Sequence, residues 1–111
     1  MDHYLIWFGL KDTSRDLQFC QDLDRFLGRL KAAGGIESHR LMRRKLGFGP
    51  SELGEFFLDI QVKDLAQLDR AFGAVAPRAG PVEKEHEAIW SQVTNFRSGL
   101  WRDYPDPQRV R

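Results

Sequence analysis

The chain has 111 residues, one domain's worth of sequence, and that length buries roughly two-thirds of the unfolded chain's surface without a disulfide or metal staple. Lys plus Arg is 17 against 16 Asp plus Glu, a balance that argues against a strongly basic nucleic-acid binder and against an acidic solvating tail. The one cysteine, Cys20, excludes an intramolecular disulfide and a multi-cysteine metal cluster, and no apolar run nears the ~20 residues of a membrane span.

The apolar start, Tyr4-Leu5-Ile6-Trp7-Phe8, has no basic segment before it and no small-residue cleavage site after it. It does not read as a signal peptide, and the expectation is a reduced, cytoplasmic protein. Residues 3–10 are apolar and aromatic on both parities, which predicts a strand buried on both faces. Thr13 with Asp16 resembles a capping box. Phe19, Leu23, Phe26, Leu27 and Leu30 follow at helical spacing and form one apolar stripe, which Gly34-Gly35 stops.

Residues 36–46 read as a second strand of poor alternation, followed by turn chemistry from Gly47 to Glu52. The third strand is the cleanest: Phe56, Leu58, Ile60 and Val62 alternate with Phe57, Asp59, Gln61 and Lys63. Asp64 is a good N-cap with Gln67 at the third helical position, and Leu65, Leu68, Phe72 and Val75 make the next stripe. A break is expected from Pro77 to Pro81, then a short helix over 82–93. The last strand is expected over 94–102, with Phe96, Ser98 and Leu100 on one face and Asn95, Arg97, Gly99 and Trp101 on the other. The tail, with Pro105 and Pro107, reads as irregular.

The order is β-α-β-β-α-(α)-β, the split βαβ pattern. The fold class is therefore α+β, a single ferredoxin-like domain over 1–111. It has a four-stranded antiparallel sheet with both main helices on one face. The other face must then meet water, a ligand or another chain. Trp7, Phe57 and Trp101 on that face would form a large exposed apolar patch, the mark of an interface or binding site. Two copies packed sheet to sheet would close a barrel over it. A stacking platform for single-stranded nucleic acid is the other explanation.

The whole-chain order resembles the dimeric α+β-barrel superfamily of ferredoxin-like proteins. Arg43-Arg44-Lys45-Leu46-Gly47-Phe48-Gly49-Pro50, Leu53-Gly54-Glu55-Phe56 and Trp101-Arg102-Asp103-Tyr104-Pro105 are similar to segments of a small bacterial group within it that has no assigned activity. The resemblance implies a homodimer. It implies no reaction, because the superfamily hosts haem-degrading and quinone-forming monooxygenases, muconolactone isomerase, chlorite dismutase and proteins without known chemistry.

Among the histidines, His39 is the strongest candidate for catalysis or ligand contact, since it lies mid-strand beside Arg40 and Arg43. His3 reads as an edge residue that could line a barrel mouth. Glu83-x-x-His86 has metal-ligand spacing on a helix, but one copy without a second such pair reads as a solvated acidic face. Asp59 and Arg97 both alternate with core residues, so both are expected on the side away from the helices. There they either orient a polar ligand or bridge the two halves of a dimer. Arg43, in the basic run Arg40–Lys45, offers a planar fork for an anionic group. Lys45-Leu46-Gly47-Phe48-Gly49 faintly resembles a basic-glycine-aromatic nucleic-acid box, but it falls in the hairpin rather than on the third strand. With a net charge of +1, this weighs against nucleic acid as a partner. No haem-ligating set is clearly reproduced, and no phosphate-cradling loop or Ser-His-Asp order is present. No metal and no cofactor is expected. Cys20 reads as a small buried hydrophobe.

The sequence reading is a homodimeric α+β barrel bordering an aromatic-lined pocket for a small aromatic or apolar organic molecule with an anionic group. Trp7, Phe57, Trp101 and Arg43 are its expected ligand contacts, and His39, Asp59 and Arg97 its expected polar or proton-transfer groups. The residues do not separate binding from conversion, nor a pocket from a filled structural or partner-binding dimer.

Overall fold

A computed structural model describes residues 1–75 and 81–105. The chain runs through β1 (Asp2–Leu10), a 3-10 turn (Thr13–Arg15), α1 (Asp16–Ala32), β2 (Ser38–Arg43), β3 (Phe56–Val62), α2 (Leu65–Val75), α3 (Pro81–Trp90) and β4 (Val93–Arg102). The expected break at Pro77 and the tail holding Pro107 lie outside the described residues.

Local chemistry explains most boundaries. Asp12, rather than Thr13, starts the first helical segment: its Oδ1 accepts the Ser14 backbone N–H at 3.0 Å and the Ser14 hydroxyl at 2.6 Å. Gly34 ends it at φ +81°, a left-handed conformation that lets the Gly35 N–H reach back to the Leu30 carbonyl at 2.8 Å. Asp64 caps α2 by accepting the Gln67 N–H at 2.9 Å. Gln67 is only 3% exposed, so its amide must be satisfied internally. Its Oε1 accepts from the Lys63 N–H at 2.6 Å, and its Nε2 donates to the Gly34 carbonyl at 3.1 Å and to Glu37 at 2.9 Å. One side chain thereby ties the start of α2 to the chain leaving α1.

The sheet has the order β2-β3-β1-β4, and every pair is antiparallel. Cross-strand partners share a face, so the register assigns sides without ambiguity. Ile6, Phe8 and Leu10 of β1 and Phe56, Leu58, Ile60 and Val62 of β3 face the helices, where they form the core with Phe19, Leu23, Phe26 and Leu27 of α1. Phe8 stacks on Phe56 at 5.5 Å and meets Phe19 at 5.5 Å. Burying each such side chain contributes about 1.5–3 kcal/mol, which makes this layer the main source of stability.

β2 is shorter than its predicted span. It ends at Arg43, after which the Arg44 guanidinium turns inward and donates to the carbonyls of Pro50, Leu53 and Gly54 at 2.9, 2.8 and 3.4 Å. The basic run is thus split by role, and Arg44 is the internal brace of the β2–β3 connection.

Candidate functional site

On the face without helices, β1 presents His3, Leu5 and Trp7, β3 presents Phe57, Asp59 and Gln61, and β2 presents Ser38, Arg40 and Met42. β4 adds Arg97, Gly99 and Trp101. Trp7 lies at the centre of an aromatic cluster, 5.1 Å from Phe57 and 5.7 Å from Trp101 between ring centroids. Trp101 folds across its own strand: a Cβ built on Gly99 would sit 2.0 Å from its Cζ3. Glycine is what lets the indole lie flat there. Leu5, paired with Gly99, is 9% exposed on a face that no helix covers, whereas Trp101 itself remains 55% exposed.

Asp59 and Arg97 share this face, as the alternation predicted. They do not pair with each other. The partner of Asp59 is His3, which sequence reasoning treated as an edge residue: His3 Nδ1 lies 3.0 and 3.3 Å from the two Asp59 oxygens. His3 Nε2 lies 2.7 Å from Asp103 Oδ1. The antiparallel pairing of β1 with β4 carries the signal for this contact, because it sets residues 2 and 3 beside 102 and 101. Partial burial opposes charge on the imidazole, but the hydrogen bonds and charges of Asp59 and Asp103 outweigh it and hold His3 above its ordinary value of 6.5. The bond from His3 is the main cause that holds Asp103 below 3.8. Among the described residues, Arg40 and Arg97 have no ion-pair partner.

His39 and Arg43 are on the opposite side, which corrects their expected place beside Asp59 and Arg97. The β2 register pairs His39 with Ile60 and Arg43 with Phe56, both helix-facing. His39 Nε2 meets Asp24 of α1 at 2.9 Å. Arg43 bridges Asp16 and Glu55, each at 3.1 Å, and its guanidinium lies 5.2 Å from the Phe56 ring centroid. Both have structural partners that account for them. Burial and the neighbouring Asp24 push the Cys20 thiol up, so it is no reactive thiolate.

Trp101 lines one depression, with Asp2, Leu65, Leu100 and Arg102. An aromatic pocket lies on the helix side and is walled by none of Trp7, Phe57 and Trp101. It is a cavity of about 330 Å³ between the sheet and the three helices, lined by Tyr4, Phe26, Phe72, His86, Trp90 and Phe96 above the aliphatic Ile6 and Ile60. Helix α3 packs on both α1 and α2, and the space left between these helices and the sheet is the cavity. The inner side chains of β4 are left open, with Phe96 51% and Leu100 49% exposed. Aromatic edges define the walls: Tyr4 meets Phe72 at 5.4 Å, and Trp90 meets Phe96 at 5.8 Å. His86 is the one titratable imidazole of the lining, between Phe26 at 5.9 Å and Trp90 at 6.2 Å. It makes no hydrogen bond among the described residues, so its ring nitrogens are available to a ligand.

His86 is therefore part of an apolar wall rather than of the solvated acidic face that its neighbours Glu83, Glu85 and Glu87 predict. Glu85 instead pairs with Arg29 of α1. Among the described residues, no group of three or more His, Cys, Asp or Glu side chains is placed to hold a metal ion. Among the described residues, no helix is long and apolar enough to cross a membrane.

Comparison with known proteins agrees with this geometry at the level of fold. A crystal structure of a dimeric ferredoxin-like protein of unknown function from Jannaschia sp. CCS1 is similar at a TM-score of 0.68 and 13% identity, covering 92% of this chain and 98% of that one. A dimeric ferredoxin-like protein from an uncultured marine organism is similar at a TM-score of 0.62 and 12% identity, covering 98% of this chain and 92% of that one. No curated protein matches the sequence. The model of a family of unknown function, DUF6614, matches residues 1–111, and the chain belongs to that family.

Proposed function

We propose that the protein is a cytoplasmic homodimer, closed across the open sheet face, that binds a small aromatic or apolar organic molecule in the helix-side pocket of each protomer. The pocket carries this reading. Its volume of about 330 Å³ falls in the range of ligand sites, ~300–1,000 Å³. It is about twice the ~150 Å³ apolar cavity that holds one benzene ring, so a molecule of one or two rings fits. Its lining is aromatic and aliphatic, and His86 supplies a polar contact that would orient a ligand oxygen or nitrogen.

The dimer is supported by the apolar cluster of Trp7, Phe57 and Trp101 and by the dimeric state in which both similar structures are described. Under this reading Asp59 and Arg97 belong to the interface. Arg97 and Arg40, without ion-pair partners among the described residues, take carboxylates of the second copy or an anion held between the sheets. The pocket and the interface lie on opposite faces, so each can be tested without the other.

Light scattering at micromolar concentration should give a mass near twice 12.9 kDa, and a mass near 12.9 kDa sinks the dimer. Indole and naphthalene should raise the thermal midpoint, since a ligand at 100 times its Kd stabilises by about 2.7 kcal/mol. Leu30 is partly buried at the cavity wall, and Leu30→Trp should fill the space and abolish the shift. No shift in the parent protein with either probe refutes the pocket.

A further inference from the structure

The His3 contacts carry an inference that is independent of the pocket, although Asp59 shares the face that the proposed dimer closes. Each ring nitrogen of His3 is within hydrogen-bond distance of a carboxylate, Asp59 at Nδ1 and Asp103 at Nε2. A carboxylate only accepts. Both bonds therefore exist together only when both ring nitrogens carry hydrogen, that is, as imidazolium. The neutral ring keeps one bond and turns a lone pair toward the other carboxylate. The two carboxylates differ in freedom: the Asp59 side chain is 20% exposed on the central strand β3, and that of Asp103 is 64% exposed just past the end of β4. The contact with Asp103 is the one free to open.

We propose that His3, Asp59 and Asp103 form a proton-operated clasp that pins the chain leaving β4 to the start of β1, closed while the imidazole carries both protons and released when it loses one. Among the described residues, several charged groups lie near His3, Arg102 at the end of β4 among them. Asp59 comes from β3, with Arg40 of β2 as its register partner. Asp103 comes from beyond β4, with the Met1 amino group 3.6 Å from its Oδ2. β4 itself contributes uncharged Trp101 as the partner of His3. The Asp103 N–H also donates to the Met1 carbonyl at 3.2 Å, so release of the side chain frees a backbone bond with it. Tyr104, which follows directly and is 90% exposed, moves with the clasp.

The sign follows from the two shifts. His3 is raised, so its contribution is fully present below 6.5 and is lost as pH rises through its folded value. Asp103 is lowered, so its contribution is present above 3.8 and is lost as pH falls through its own folded value. The clasp is closed between those limits and opens on the alkaline side through His3.

Nuclear magnetic resonance tests this in the full chain. The His3 ring should titrate above 6.5, and the amides of Asp103 and Tyr104 should shift at that same midpoint. Asp103→Asn, a surface change, should lower the His3 midpoint. His3→Gln should remove the pH step from both amides. A His3 midpoint at or below 6.5, one unmoved by Asp103→Asn, or an amide step that persists in His3→Gln overturns the clasp.

Discussion

Gly99→Ala gives the sharpest test of how the open face is built. An added Cβ would lie 2.0 Å from Cζ3 of Trp101, 2.9 Å from Cη2 and 3.0 Å from Cε3. The indole must therefore lift off the sheet. At 55% exposure it buries a little under half of its surface, on the order of 100 Å² for a tryptophan, or ~2.5 kcal/mol at ~25 cal/mol per Å². Lifting also breaks the edge contact with Trp7 at 5.7 Å, worth about 0.5–1.5 kcal/mol. The displaced ring recovers part of this by packing elsewhere, and the lost glycine flexibility returns about 0.4–1 kcal/mol, because Gly99 is not among the glycines at positive φ. The net expectation is a loss of about 1–2 kcal/mol, a fall of roughly 4–8 °C in a thermal melt followed by circular dichroism at fixed protein concentration. The decisive control is the same substitution beside Trp101→Thr. With no indole to displace, only the backbone term remains, and Gly99→Ala should then stabilise by about 0.4–1 kcal/mol. If Gly99→Ala costs the same in both backgrounds, the indole does not lie over Gly99 and the account of this face is wrong.

The same logic predicts a larger cost at Gly54, where a Cβ would fall 2.1 Å from the Phe8 carbonyl carbon and 2.6 Å from the Gly9 nitrogen. These neighbours are rigid backbone, so Gly54→Ala should cost ~3 kcal/mol by urea unfolding, and a neutral result would contradict the packing of this loop on β1. Arg44→Met removes the donor shared by the Pro50, Leu53 and Gly54 carbonyls. Limited proteolysis should cut within 45–53 several-fold faster, and an unchanged rate would show that the brace holds nothing. His39→Asn removes one hydrogen bond to the exposed Asp24 carboxylate, so it should cost about 0.5–1.5 kcal/mol and leave the indole-induced thermal shift intact. Loss of that shift would return His39 to the ligand site.

The fold was readable where parity and chemistry agreed. In β3, Phe56, Leu58, Ile60 and Val62 alternate with Phe57, Asp59 and Gln61, and the buried set is the helix-facing one. Asp59 and Arg97 were placed on the correct side for the same reason. In β2, by contrast, each parity of Ser38-His39-Arg40-Leu41-Met42-Arg43 holds one large apolar residue and at least one polar one. Hydrophobicity alone could not choose between them. The choice was made by long side chains that extend over the core: Arg43 reaches Phe56, and His39 finds Asp24 on α1. That carried both residues away from the site assigned to them.

The pocket and the His3 contacts escaped sequence reading for a different reason: both depend on distances between elements that periodicity does not encode. His3 and Asp103 are 100 positions apart and meet only because β1 and β4 are antiparallel neighbours. His86 reads as a charged helix face by its flanking glutamates, yet the angle of α3 turns it between Phe26 and Trp90. The apolar surplus in this sequence is therefore shared between two faces with different consequences. On the open side the residues are large, flat and mutually packed, with Trp7 against Phe57 and Trp101, which leaves a surface to be covered rather than a hole to be filled. On the helix side the space left between the helices and Tyr4, Ile60 and Phe96 of the sheet is the hole. Covering a flat apolar surface requires a partner of similar area, which a second copy would supply. Filling an aromatic cavity of about 330 Å³ requires only a small molecule. The two faces thus call for different occupants, and the aromatic residues most visible in the sequence are those of the open sheet face, not of the pocket.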